Sequence, residues 1–267
     1  MEIPNFETKK ELFEYLKTNK TLLIKSKKAA GLKKADPILV SYAPNQTDKA
    51  STINPNSIDK MQVVAVINTT GIMDSHKDVH IPGIWTKSLK ENKNIILLQE
   101  HKMDFDHMIS DQVKATADDV QWKDLGFNFT GKTQALTFKA DIEKTDNEAM
   151  FKRYARGIVK EHSVGMQYVK IDLAINSDAD EYKEENATWN KYIDAVINRK
   201  DAEENGYFWA VTEAKVIEGS AVLKGSNSFT PTRSVEAKQN IEAGKSTSSN
   251  EPSNDTQGNQ INIYSFN

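Results

Sequence analysis

NEAMFKRYARGIVKEHSVGMQY, residues 147–168, is the stretch whose reading decides the fold. Its first part reads as a helix. Asp146 stands where a side chain can accept the unpaired N–H groups of a first turn, and Met150, Tyr154, Ile158 and Val159 recur at helical spacing, marking one buried face. From Ser163 the period becomes two. Val164, Met166 and Tyr168 alternate with Ser163, Gly165 and Gln167, the pattern of a half-buried strand. Ser163 thus sits where a helix gives way to a strand, a place from which a fold can present a hydroxyl.

Working outward, residues 176–206 read as charged helix with Trp189, Tyr192, Ile193, Val196 and Ile197 facing inward, and residues 207–223 return to strand. Upstream, residues 62–68 (QVVAVIN) and 94–99 (NIILLQ) are short apolar runs of strand length. Residues 84–91 suggest a helical turn, and residues 125–130 and 134–141 read as a hairpin around Gly131 and Lys132. Such densely spaced strands do not alternate regularly with helices. They predict an α+β fold, a mixed and mainly antiparallel β-sheet or barrel with packed helices.

The flanks differ in composition. Thr8 and Glu11 have capping-box spacing ahead of a short helix over residues 8–20. Lys25, Lys27, Lys28, Lys33 and Lys34 then make this end basic, as a solvated appendage or a docking arm for an acidic partner. Residues 37–56 are rich in Pro, Asn, Ser and Thr, as in a linker. Beyond Pro231 no aromatic residue appears until Tyr264 and Phe266, too little apolar surface to offset ordering entropy. The predicted organisation is a partly helical arm and linker at 1–59, a compact domain at 60–231 and a flexible tail at 232–267.

The chain has 267 residues and a net charge of -3, which creates no field that by itself implies nucleic acid or membrane binding. No cysteine is present, so disulfide scaffolds, thiol catalysis and thiolate metal sites are excluded. No apolar signal region opens the sequence and no run approaches membrane-spanning length, the pattern of a soluble, non-exported chain.

Five histidines, at 76, 80, 101, 107 and 162, support two chemistries. His76 and His80, four apart beside Asp74 and Asp78, would suit zinc on a helix. Val79, Ile81 and Pro82 make that segment a poor helix, however, and the Glu of an H-E-x-x-H pattern is missing. The other chemistry is nucleophilic attack by Ser163, whose hydroxyl needs an imidazole to take its proton and a third group to orient that imidazole. His101, ending the NIILLQ strand, suits the base. His162 does not, because adjacent strand residues face opposite ways. Glu218, an ionisable group among apolar neighbours in KVIEGSAVL, demands a partner.

Four blocks in this order resemble the prohead, or head-maturation, serine protease family of tailed bacteriophages, distantly similar to the herpesvirus assemblin proteases. They are AVINTTGIMDSHKDVHIPGIWTKSL, IILLQEHK, YARGIVKEHSVGMQY and VIEGSAVLKGSN, together covering roughly residues 62–228. Met166 stands where the family usually has an aromatic, and Ile84–Trp85 where it has a small residue and Phe. The resemblance implies an assemblin-like fold with Ser163 as nucleophile, His101 as base and Glu218 as third member, Glu213 being the nearby alternative. It implies no cofactor or metal, scaffold and major capsid proteins as substrates together with the enzyme's own ends, and action in the host cytoplasm inside the assembling prohead. It also implies a possible homodimer, with no membrane or direct nucleic-acid binding. A catalytically silent capsid-associated protein of the same fold is the alternative, and a metal-dependent hydrolase using His76 and His80 a more distant one.

Overall fold

The computed structural model describes residues 3–29, 53–92 and 94–238. Helices α1 (Lys9–Thr18) and α2 (Lys20–Ala29) are followed by β1 (Lys60–Thr69), β2 (Asp78–His80), α3 (Thr86–Glu91), β3 (Ile96–Gln99), β4 (Met108–Ser110), β5 (Gln112–Gln121) and β6 (Lys132–Glu143). Then come α4 (Glu148–Ala155), β7 (Glu161–Ile175), α5 (Lys183–Tyr192), α6 (Arg199–Asn205), β8 (Tyr207–Val222) and β9 (Thr232–Lys238). The fold is α+β and mainly antiparallel. Its strands form two open sheets, β5-β6-β1-β9 and one in which β8 pairs with β2, β3 and β7, rather than a closed barrel.

The two sheets pack face to face across an apolar core. Gly219 of β8 shows how close they come: a Cβ at this position would lie 2.4 Å from the Phe138 ring of β6 and 3.0 Å from Ile67 of β1. Strand alternation therefore divides β8. Gly219 and Ala221 face the other sheet, and Glu218 and Ser220 face away from it. Among the described strands, only β2 and β3 run parallel to β8.

The deciding stretch departs from its prediction in detail. Asn147, not Asp146, caps α4, its side chain accepting from Met150 N–H at 3.1 Å. Met150 and Tyr154 are buried as expected, but Gly157 turns the chain with φ +65° and leaves Ile158 46% exposed. The hairpin partner of β6 is β5, not residues 125–130. Phe127 and Phe129 instead pack edge-on against Trp122 in a side cluster with Phe229. The segment beyond Pro231 continues in order as β9 along β1 to Lys238, and the rest of that predicted tail lies outside the described residues.

At the N-terminus, Thr8 and Glu11 form the capping box, each side chain bonding the other's backbone N–H. The two helices are not a solvated appendage. Phe13, Leu16 and Leu23 are buried in the main core, Lys20 bonds buried Glu185 at 2.7 Å, and Lys27 pairs with buried Asp78 while lying 5.4 Å over the Trp209 ring. Lys33, Lys34 and nearly all of the predicted linker fall outside the described residues. No helix among the described residues is long and apolar enough to cross a membrane.

Candidate functional site

Parallel pairing of β3 with β8 sets Leu98 beside Ser220 and Gln99 beside Ala221, so the chain leaving β3 emerges next to the Glu218 face. Two residues then reverse it. Glu100 and His101 both hold left-handed backbone, φ 52° and 55°, a conformation costing a non-glycine residue about 1–2 kcal/mol. Lys102 N–H closes the turn onto Gln99 O at 3.1 Å, and three further bonds tie it to β8 and the residue after it. Glu100 N–H donates to Ala221 O at 3.0 Å, the Glu100 carboxylate accepts from Leu223 N–H at 3.0 Å, and His101 N–H donates to Ser220 Oγ at 3.0 Å.

The turn folds the His101 ring over β8. Its Nδ1 meets Glu218 Oε1 at 2.7 Å, and Ser220 Oγ donates to Glu218 Oε2 at 2.6 Å. Glu218 is fully buried. Because a carboxylate only accepts, Nδ1 carries the proton and Nε2 is left as the basic nitrogen. No described residue bonds Nε2. Ser220 was missed in the sequence, although its position two residues after Glu218 on one strand puts both side chains on one face.

Ser163 lies directly opposite Ser220 in the antiparallel β7–β8 ladder. Opposed residues project to the same side with Cβ atoms about 4.5–5.5 Å apart, so Ser163 shares the face of Glu218, Ser220 and the His101 ring. Its hydroxyl makes no hydrogen bond among the described residues, and none joins it to His101. The structure thus brings His101 and Glu218 into direct contact and sets Ser163 on the adjoining strand.

The other predicted residues are placed elsewhere. His162 points to the opposite face, fully buried. Its Nδ1–H donates to Thr230 O at 3.2 Å and its Nε2 accepts from Tyr154 O–H at 3.0 Å, while burial lowers its pKa to about 4. Glu213 bonds Lys170 at 2.6 Å, which lowers its pKa, and approaches Lys87 at 3.6 Å, outside the Glu218 network. His107 bonds Asp104 at 2.5 Å. Among the described residues, no three His, Asp or Glu side chains are grouped so as to hold a metal ion.

A second polar network occupies the Asp-rich loop and the outer side of β7. Tyr168 O–H donates to Asp78 Oδ2 at 2.9 Å, and Asp78 also pairs with Lys27. The His80 ring spans Tyr168 OH through Nε2 at 3.1 Å and Asn68 Oδ1 through Nδ1 at 3.3 Å. Asn68 Oδ1 already accepts from Asn227 Nδ2, and Tyr168 has given its one proton to Asp78. Asp74 adjoins this network. Burial first, and then the neighbouring Asp78 charge, raise its pKa to about 7.

Comparisons with known proteins return no match: no family model, no curated protein and no solved structure is similar to this chain.

Proposed function

We propose that the protein is a serine endopeptidase with an assemblin-like fold, acting on scaffold and major capsid proteins, and on its own ends, inside an assembling phage prohead. One observation carries this reading: a buried carboxylate orients a histidine whose free nitrogen lies on the same sheet face as an unbonded serine hydroxyl. Ser163 would attack the scissile carbonyl as His101 Nε2 takes its proton, and Glu218 would hold the ring and offset the imidazolium charge. The same histidine would then protonate the leaving amine and activate the water that releases the acyl group. The capsid substrates and the prohead location rest on the sequence resemblance alone, as does any homodimer.

A catalytically silent, capsid-associated protein is the second reading, favoured by the absence of a bond between Ser163 and His101. Such bonds are often long before substrate arrives, so this does not remove the first reading. Co-expression with candidate scaffold and capsid proteins separates the two. Intact mass should reveal trimmed products with the wild type and none with Ser163→Ala, since losing a triad serine costs on the order of 10⁶ in kcat. Cleavage that survives Ser163→Ala overturns the assignment, and no cleavage by either protein leaves the silent reading in front.

A further inference from the structure

β5 is the outermost strand of its sheet, paired with β6 on one side only. Its ten residues, QVKATADDVQ, include no proline or glycine. The β5–β6 ladder runs from Gln112–Asp141 to Gln121–Lys132 without a register shift, whereas the ladders of β1 with β6 and β9, and of β7 with β8, are interrupted. Proline, bulges and short length are common protections of a sheet edge against pairing. This edge has none of the three and carries charges instead.

The far end of the ladder shows which backbone groups the edge offers. Trp122 N–H donates across to Gly131 O at 3.2 Å, so even-numbered positions of β5 turn their N–H and C=O toward β6 and odd-numbered positions turn theirs outward. Val113, Ala115, Ala117 and Asp119 thus present donors and acceptors on the open side, and no described residue bonds them. Side chains alternate as well. Val113, Ala115 and Ala117 pack partly buried against the main core, which sets Lys114, Thr116 and Asp118 on the outer face.

The charges on that outer face have an order. Lys114 lies directly opposite Lys139 of β6, a like-charge pair that is unfavourable. Asp118 lies opposite the methyl group of Ala135. Neither Lys114 nor Asp118 forms an ion pair with a described residue. A second copy of the strand, laid antiparallel, answers both. Its outward groups meet those of the first copy only when odd positions face odd and even face even, so the two-fold axis must pass through one residue. With the axis at Thr116, Lys114 of each copy faces Asp118 of the other, and Ala115 faces Ala117. Moving the axis by one residue either way breaks both ion pairs, and moving it to residue 118 sets Asp118 against itself.

We propose that the open edge of β5 is a homodimer interface, in which two copies pair antiparallel about Thr116 and join their four-stranded sheets into one continuous sheet. The family resemblance implies a homodimer but no surface for it. The surface follows from β5 alone and does not depend on the endopeptidase reading.

The test uses the full chain. Because it has no cysteine, Thr116→Cys introduces a single thiol. Residues facing each other in a non-hydrogen-bonded pair have Cα atoms about 4.5 Å apart, within the disulfide range of about 4.4–6.8 Å. Mild oxidation should therefore convert Thr116→Cys to a covalent dimer on non-reducing gels. Gln112→Cys, on the same face but opposite Val120 of the second copy, should stay monomeric there. Sedimentation velocity between about 1 and 100 μM should show a reversible wild-type dimer. Lys114→Asp and Asp118→Lys should each weaken it about tenfold or more, since two opposite-charge pairs become like-charge pairs. Combining the two substitutions leaves the net charge unchanged and should restore the dimer. A wild type that is monomeric throughout, equal cross-linking at both cysteine positions, a dimer indifferent to charge reversal, or no recovery in the double variant overturns the proposal.

Discussion

His101 lies on the same sheet face as Ser163 and His162 lies next to it in sequence, and the two histidines are built for opposite purposes. His162 is sealed under Thr230 and Tyr154 with both ring nitrogens bonded, and burial disfavours its charged form. His101 spends one nitrogen on Glu218 and keeps the other free, on a turn of unfavourable backbone held by neighbouring side chains. Burial with full bonding makes a histidine part of the scaffold. A single committed nitrogen makes it a candidate base. The difference teaches that adjacency to the serine along the chain is the weaker guide, because neighbouring strand residues face opposite ways.

Substitutions should separate the two roles, with the largest effect at His101. His101→Ala should lower proteolysis on the order of 10⁴-fold or more, as expected for a triad member, while the urea midpoint stays close to wild type. A variant that keeps full activity would erase the contrast. Glu218→Gln should follow, with a drop on the order of 10³–10⁴ in kcat, because an amide no longer favours the Nδ1–H form of His101. The pH–rate profile should change with it, which simple unfolding would not produce.

Ser220→Ala should cost less, about 1–3 kcal/mol of stability for two lost partners in a buried place, together with a loss of activity that Ser220→Thr partly restores. Equal unfolding midpoints for Ser220→Ala and wild type would show that this hydroxyl does not hold the turn.

The smallest effects concern pH. His162, with a pKa of about 4 folded and 6.5 as the reference, binds its proton in the unfolded chain first. Its contribution is present above about pH 6.5 and is lost as pH falls toward 4. Asp74, raised from 3.8 to about 7, has the reverse slope: the folded chain retains a proton that the unfolded chain has released, so stability falls as pH rises through that window. The two partly cancel in the wild type. Urea unfolding of His162→Gln between pH 4 and 6.5 should therefore show stability declining with pH more steeply than wild type, and Asp74→Asn should show it rising. Parallel curves for all three proteins would mean that neither group is as buried as described.

How much of this was legible in the sequence depends on distance along the chain. Period-two alternation from Val164 to Tyr168 and the apolar runs of β1, β3 and β8 marked their strands, and an isolated Glu218 among apolar residues marked itself as needing a partner. β5 escaped because VKATADDV mixes small half-buried residues with charges, so no apolar stripe stands out. β9 escaped because TRSVEAK is polar and is ordered by pairing with β1 rather than by its own composition. The basic N-terminal segment read as solvated because Lys20 and Lys27 find their carboxylates in residues 185 and 78, far along the chain. The second polar network was beyond reach for the same reason. Asn68, Asp74 and His80 share one stretch, but Tyr168 and Asn227 come from two others far along the chain, and only the folded topology assembles them.

Gly219 has a consequence for how freely this strand can change. It lies between Glu218 and Ser220, and its missing side chain lets the Phe138 ring of the opposite sheet press against the backbone. A one-residue slip of β8 would bring Glu218 or Ser220 against that ring and turn Gly219 outward, so mispairing would collide with the core as well as dismantling the polar network. The residue without a side chain thus acts as a register key, making the alignment that assembles the site also the one in which the two sheets can close.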